Sequence, residues 1–199
     1  MRGSRGMRAL DVYVAAVGLA LVWPLLALLA LLIRLESPGS PLFRQTRIGR
    51  DGRPFTIYKF RTMRRTASAA PAPRVGDFAT FVFTPPGGDA RRTRLGSVLR
   101  RTSWDEVLQL LNVLRGEMAL VGPRPEIPEI VDAYEPAWHE RHASPPGITG
   151  LAQINGRSDL PYTVIIAYDL LYVRRRSAAL DLRILARTPL AVLRGDGAR

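Results

Sequence analysis

VYVAAVGLALVWPLLALLALLI, residues Val12 to Ile33, is 22 consecutive residues without a charge. As a straight helix it would cover roughly 33 Å, about the thickness of a hydrocarbon core. A secretory signal core is usually shorter, about 7 to 15 apolar residues, so the segment reads as one that stays in a bilayer. Its flanks are basic on both sides. Arg2, Arg5 and Arg8 precede it; Arg34, Arg44, Arg47, Arg50 and Arg53 follow, offset by Glu36 and Asp51. A spanning helix ordinarily carries its excess of Lys and Arg on the cytoplasmic flank alone. Pro24, in the middle of the run, removes one helical hydrogen bond and clashes with the preceding turn, so a kink is expected at Trp23-Pro24. A re-entrant helix that bends there and returns to the same leaflet satisfies both basic flanks with anionic headgroups. A kinked spanning helix stays open at this point, because proline occurs there too.

Charge then divides the chain. The 199 residues carry 29 Lys+Arg against 17 Asp+Glu, a net +12. Residues 1–103 hold 18 cations and 5 acids, whereas residues 104–199 hold 11 and 12. The basic half therefore surrounds the apolar segment, and no nucleic-acid motif accompanies it. Without cysteine there is no disulfide, thiolate zinc site or thiol nucleophile. Lys59 is the sole lysine among 28 arginines and precedes Phe60, which excludes a Walker phosphate loop. Gly-x-Ser-x-Gly, His-Glu-x-x-His, Gly-x-Gly-x-x-Gly and Asp-x-Asp are all missing, which removes support from hydrolase, zincin, Rossmann and metal-dependent sugar transferase readings of those types.

Beyond the apolar segment, Leu42–Arg47 and Phe55–Met63 read as strands joined across Arg50-Asp51-Gly52-Arg53. Alternation puts Lys59 and Arg61 on one face of the second strand; either they keep an edge soluble or they serve a site that needs a compact flexible charge. Residues 66–90, rich in Ala, Pro and Gly, read as a mobile loop. Ser103 to Arg115 is the strongest helical pattern, with Trp104, Val107, Leu108, Leu111 and Leu114 on one face and Ser103/Glu106 as a capping box. Another helix is expected through Ile127 to Tyr134, interrupted by Pro136. Gly147 to Gly156 reads as loop and short strand. Thr163–Arg176 and Ala179–Leu193 read as amphipathic helices, the last suited to a membrane interface through Arg183, Arg187 and Arg194.

Asp105-Glu106 opens the Ser103 helix behind Arg91, Arg92, Arg94, Arg100 and Arg101. The helix dipole and nearby arginines favour the ionised form, so Asp105 is expected to be a carboxylate at neutral pH. Such a cluster suits a phosphate or a magnesium phosphate, although acids are common in first turns for structural reasons alone. Arg124 lies between Pro123 and Pro125, where rigid neighbours lower the entropy lost on gripping a phosphate; a plain turn is the alternative. His139 and His142 have the spacing of a metal pair, with no evident third ligand.

Taken in order, the Glu36-Ser37-Pro38 region, Phe43-Arg44-Gln45-Thr46-Arg47-Ile48-Gly49, Tyr58-Lys59-Phe60-Arg61-Thr62-Met63, Ser103-Trp104-Asp105-Glu106, Gly122-Pro123-Arg124-Pro125 and Pro146-Gly147-Ile148-Thr149-Gly150 resemble the bacterial sugar transferases, and among them the small monotopic phosphoglycosyl transferases. The resemblance runs from about Arg8 to Leu193. It implies a helix-rich α/β (α+β) architecture: a re-entrant membrane helix hairpin (residues 1–36), kinked at Trp23-Pro24, then a cytoplasmic, membrane-associated catalytic domain (residues 37–199) with a short β-hairpin and interfacial helices. It also implies transfer of a sugar phosphate from a UDP-sugar to a polyprenyl phosphate at the cytoplasmic face of the membrane, beginning a surface glycan, with UMP released. Asp105 would be the nucleophile that carries a phosphosugar intermediate, Glu106 its partner, and Mg2+ would act with both. Lys59, Arg61, Arg101 and Arg124 would neutralise phosphate oxygens, with Arg157 and Asp169 as further substrate contacts. Membrane lipids are implied partners, nucleic acid is not, and a homodimer is admitted.

Several positions depart from the family pattern. Trp23 stands where a serine usually precedes the proline, Trp104 replaces a common leucine, and Pro145 replaces a basic residue. Tyr162 and Ile165 stand where Trp and a basic residue are frequent, while Asp169 and Tyr172 match. Two other readings compete: a membrane-tethered anion-binding module without catalysis, and a conventional glycosyl transferase that would release UDP.

Overall fold

The computed structural model describes residues 5–64, 91–156 and 159–194. The expected loop at 66–90 and Arg157 lie outside the described residues. The first element, α1, runs from Arg5 to Glu36 as a single helix that continues through Trp23-Pro24. One stripe of α1 is turned inward along its length, marked by Asp11, Ala15, Leu29 and Ile33, positions separated by sums of three- and four-residue steps, as a helix face requires. The other faces remain apolar and open, with Tyr13, Leu21, Trp23 and Leu35 each about two-thirds exposed or more. Such a contiguous exposed apolar surface belongs in lipid.

Both ends of the stripe are tied to the rest of the chain. Near the start, Arg8 donates to the carbonyls of Val113 (2.7 Å) and Leu114 (3.3 Å), satisfying orphan acceptors at a helix terminus. At the far end, Glu36 Oε1 accepts from the backbone N–H of Arg94 (2.8 Å) and Leu95 (3.2 Å), and Arg61 donates to Pro38 O at 2.7 Å and Ser37 O at 2.6 Å.

The expected β-hairpin forms. Strands β1 (Leu42–Ile48) and β2 (Pro54–Phe60) pair antiparallel with Phe43 opposite Lys59. Their connection places Asp51 and Gly52 at positive φ, 56° and 73°, residue types that tolerate the left-handed region. After the undescribed stretch comes α2 (Arg94–Thr102), capped by Thr93 Oγ1 on Gly96 N–H and not expected from the sequence. Gly96 is required by close approach: a Cβ there would stand 2.1 Å from Thr62 O.

The single helix expected over Ser103–Arg115 is divided. Trp104–Gln109 forms a 3-10 segment and only Leu110–Arg115 (α3) is α-helical. The capping box is absent. Ser103 ends α2 in the left-handed conformation, φ 58°, with no side-chain cap bond, while the Glu106 side chain is drawn to Lys59 and Arg124. The expected apolar face is split with it, since Leu108 is buried whereas Leu111 and Leu114 are 37% exposed. Asn112 ties α3 to the hairpin through Thr56 O and the Tyr58 N–H.

Strand β3 (Ala119–Val121) pairs parallel with β4 (Gly147–Thr149). The short α4 (Pro128–Val131) and a 3-10 stretch (Pro136–Ala143) lie between them, the proline falling where an interruption was expected. Helices α5 (Tyr162–Arg175) and α6 (Ala178–Arg194) close the chain, within a residue or two of the expected bounds. Ala15, Ile57, Val113, Met118, Tyr172 and Ile184 form a central core. Leu29 and Ile33 of α1 enter another with Phe60, Leu99 and Leu108. The molecule is thus a helix-rich α+β fold built on two small sheets and a long apolar helix.

Candidate active site

Three segments distant in sequence converge on one carboxylate. Strand β2 presents Lys59, the 3-10 segment presents Glu106, and the turn after β3 presents Arg124. Lys59 Nζ lies 2.7 Å from Glu106 Oε1; Arg124 grips both oxygens in a fork, at 2.6 and 3.2 Å. Bidentate guanidinium pairing of this kind fixes orientation as well as charge. Glu106 is 10% exposed at its side chain, Lys59 13% and Arg124 39%, so the cluster is open on the arginine side.

Arg124 is held from below. Gly122 N–H donates to Thr149 O (2.9 Å) and Pro123 O accepts from Gly147 N–H (2.9 Å), stitching the turn to β4. A Cβ at Gly122 would sit 2.4 Å from Pro145 O, so only glycine permits this seam. Arg124 O accepts from Arg141 at 2.8 Å. Arg141 is fully buried and pairs with Asp169, with its third arm on the Tyr134 hydroxyl. Asp169, expected as a substrate contact, is 1% exposed and meets the Arg124 turn through Arg141. Arg141 and Tyr134 carry no sequence signal, because an arginine in a short polar stretch reads as surface.

Asp105 differs from its neighbour. It is buried, yet makes no hydrogen bond or ion pair among the described residues. Burial, reinforced by the Glu106 charge, pushes its carboxyl up to about 6, opposed by Lys59, Arg100 and Arg124. The expected depression by a helix dipole does not appear, since a six-residue 3-10 segment supplies little dipole and desolvation outweighs it. At neutral pH Asp105 is still mostly a carboxylate. Burial also works against the Glu106 charge, but Arg124 and Lys59 outweigh it and hold that carboxyl well below the usual range. Lys59 is lowered by burial, with Glu106 opposing.

Of the other expected contacts, Arg61 is 7% exposed, with its guanidinium on the C-terminal end of α1, which it braces. Arg101 is exposed on α2. Arg100 is the arginine of α2 whose charge acts on Asp105, and its Nε reaches Thr62 Oγ1 at 3.0 Å. His139 and His142 have ring centroids 5.9 Å apart. His142 stacks on Tyr134 and is pushed down to about 4 by burial and by Arg141, so it is neutral. Among the described residues no three His, Asp or Glu side chains gather as a metal cage.

A cation that arrives with phosphates needs less. Magnesium commonly takes one or two carboxylates and completes its shell with substrate oxygens and water. Among the described residues Asp105 has both oxygens uncommitted, and Glu106 Oε2 carries only the longer Arg124 contact. The residues present fit such an ion.

The model of the family described as bacterial sugar transferase matches residues 3–195. A UDP-glucose:undecaprenyl-phosphate glucose-1-phosphate transferase of Caulobacter vibrioides is 45% identical over 96% of this chain and 71% of its own length. An exopolysaccharide production protein of Rhizobium leguminosarum bv. phaseoli is 41% identical over 96% of both chains. A UDP-N-acetylgalactosamine-undecaprenyl-phosphate N-acetylgalactosaminephosphotransferase of Aeromonas hydrophila is 39% identical over 96% of this chain, which spans 44% of it. With the match covering nearly every residue, and Asp105, Glu106, Lys59 and Arg124 all inside it, the chain belongs to the bacterial sugar transferase family.

Proposed function

We propose that the enzyme transfers a sugar phosphate from a UDP-sugar to a polyprenyl phosphate, in two steps through Asp105. The observation that carries this reading is the asymmetry of the acidic pair: Glu106 is tied down by Lys59 and Arg124, while Asp105 is buried, unpartnered among the described residues and poised near pH 6. A desolvated carboxylate without hydrogen bonds is the better nucleophile of the two. An Asp105 oxygen attacks the phosphorus attached to the sugar, the bond to the bridging oxygen breaks, and UMP departs with that electron pair. The phosphosugar stays on Asp105 as an acyl phosphate. A phosphate oxygen of the polyprenyl phosphate then attacks the same phosphorus; the bond to Asp105 breaks, the carboxylate is restored, and a polyprenyl diphosphate sugar leaves. Arg124, 39% exposed at its side chain, can reach phosphate oxygens from its place on Glu106. Magnesium, held by Asp105 and Glu106 Oε2 together with the diphosphate, would supply further neutralisation of phosphate charge. The relatives' names, which contain a UDP-sugar and undecaprenyl phosphate, support the donor and acceptor.

The membrane segment is re-entrant in this reading, with the catalytic domain on the cytoplasmic face. Support comes from the two ends of α1, which are tied to one small domain through Arg8 and Glu36. A helix that crossed about 30 Å of hydrocarbon would carry its ends to opposite sides.

The test is incubation of nanodisc-held protein with magnesium and a panel of UDP-sugars, with and without undecaprenyl phosphate. UMP release and a phosphosugar adduct on Asp105 are expected; release of UDP overturns the mechanism. Tags at the two termini are expected to be accessible from the cytoplasm only, and opposite accessibility overturns the re-entrant topology.

A further inference from the structure

Beside Glu106 lies a pocket of about 170 Å³ that the two-step chemistry above does not use. Its walls are aliphatic: Val107 and Leu110, Ile148, Ile154, and Ala191 and Val192 of α6. Two of its polar side chains are satisfied, since Thr188 donates to Ile184 O (2.8 Å) and its hydroxyl meets that of Thr149 (2.9 Å). Gln153 is different. It lines the same pocket and is 7% exposed, and among the described residues neither Oε1 nor Nε2 has a hydrogen-bond partner. Buried polar groups are nearly always paired, so an amide left unspent on a pocket wall points to a partner that arrives with a ligand. Gly150 and Gly122 back this side chain: a Cβ on Gly150 would stand 2.6 Å from Gln153 Oε1 and 2.3 Å from Gly122 O. Gln153 therefore borders the turn that carries Arg124.

The walls lead toward lipid. Leu110 lies 3.5 Å from where a Cβ of Gly18 would be, directly under the apolar run of α1. On α6, Leu190 and Leu193 beside the pocket residues are 51% and 83% exposed. One end of the pocket thus meets the ionised cluster at Glu106, and its walls continue into surfaces suited to a bilayer. A ligand that fits is apolar and branched, with an anionic oxygen-rich head. No aromatic ring or arginine lines the walls to stack a nucleobase. The volume is about that of an apolar cavity that takes a benzene-sized guest, enough for one five-carbon unit.

We infer that this pocket receives the first isoprene unit of the polyprenyl phosphate acceptor, with Gln153 Nε2 donating to its phosphate beside Arg124. The inference rests on the acceptor assigned above and adds the residues that select it. A prenyl group would be recognised at its phosphate end, so two isoprene units suffice for binding and the remaining chain stays in the bilayer.

The experiment has a binding arm and a turnover arm, both on the full chain in nanodiscs. In the binding arm, geranyl phosphate is expected to raise Tm and phosphatidic acid to leave it unchanged; equal responses assign the pocket to phospholipid and overturn the inference. In the turnover arm, Ala191→Leu, which fills the pocket, is expected to raise KM at least tenfold for both geranyl and undecaprenyl phosphate. The adduct yield from UDP-sugar alone, and the KM for that donor, are expected to stay at wild-type values. Gln153→Leu, which removes the amide and keeps most of the side-chain bulk, is expected to act in the same direction and covers the case in which Ala191→Leu does not fold. Unchanged acceptor KM in the folded variants overturns the inference, and so does a defect confined to adduct formation, which would place uridine in the pocket. Geranyl phosphate binding that Ala191→Leu or Gln153→Leu abolishes in a chain releasing no UMP would sink the transfer reaction and leave the pocket standing.

Discussion

Two arginine–carboxylate pairs lie back to back across the Arg124 turn, and they have opposite characters. Arg141–Asp169 is sealed, each side chain 1% exposed, and its donors are spent on Asp169, Tyr134 and the Arg124 carbonyl. Arg124–Glu106 is open on one side and has an unpaired acid, Asp105, as its chain neighbour. The saturated pair can only hold; the unsaturated one can exchange a partner for a substrate. Pairing an arginine with an acid is therefore no index of catalysis. Spare coordinating capacity at a place that solvent or lipid can reach is what separates the site from its support.

The largest expected effect falls on the open side. Asp105→Asn is expected to abolish the phosphosugar adduct and reduce turnover by roughly 10³-fold or more, since an amide is a poor nucleophile; trapping radiolabelled sugar phosphate on the protein checks it. Full activity would erase the distinction between the two pairs. On the sealed side, Asp169→Asn is expected to cost about 3 to 5 kcal/mol of stability by stranding the Arg141 charge. The double variant Arg141→Met/Asp169→Leu should recover much of that in denaturant titrations while kcat stays low, because the Arg124 carbonyl has lost its donor.

The titration of Asp105 sharpens the contrast further. In the proposed mechanism adduct formation needs its carboxylate, so the rate is expected to fall about tenfold per unit below pH 6. Lys59→Met removes a charge that lowers the Asp105 pKa, and is expected to move that acid limb to higher pH. Stability runs the other way. A carboxyl raised from 3.8 to about 6 favours the folded state fully below pH 3.8, and the contribution is lost as pH rises through 6. Asp105→Asn should therefore be more stable than wild type above pH 6, by up to about 3 kcal/mol, with the difference vanishing near pH 4. Melting curves at three pH values measure this smallest effect.

The open side was the more legible in sequence. Asp105-Glu106, Lys59 and Arg124 announce themselves through position: beside a run of arginines, alone among the cations, between two prolines. Their division of labour does not follow from spacing, because it depends on which acid the folded chain pairs. The strands flanking Arg50–Arg53 and helices α5 and α6 followed from alternation and periodicity. Helix α2 leaves little trace in the sequence, since Leu95, Val98 and Leu99 are sparse among arginines and glycine. The division of the Ser103 segment is hidden because a Ser-x-x-Glu pattern reads alike whether Glu106 closes a cap or reaches across the molecule. The Arg61 contacts were hidden for a similar reason: strand alternation gives a side chain's direction but not the end of α1 waiting there.

The inward stripe of α1 has a practical corollary for anyone wishing to isolate the catalytic half in water. Ala15 completes one core and Leu29 and Ile33 another. Cutting the chain after Glu36 would remove apolar neighbours of Val113, Phe60, Leu99 and Leu108 and uncap both α2 and the end of α3. A truncated form is expected to aggregate or melt instead of yielding a soluble enzyme. The lipid-facing helix is as much an internal beam of this protein as its attachment to the membrane.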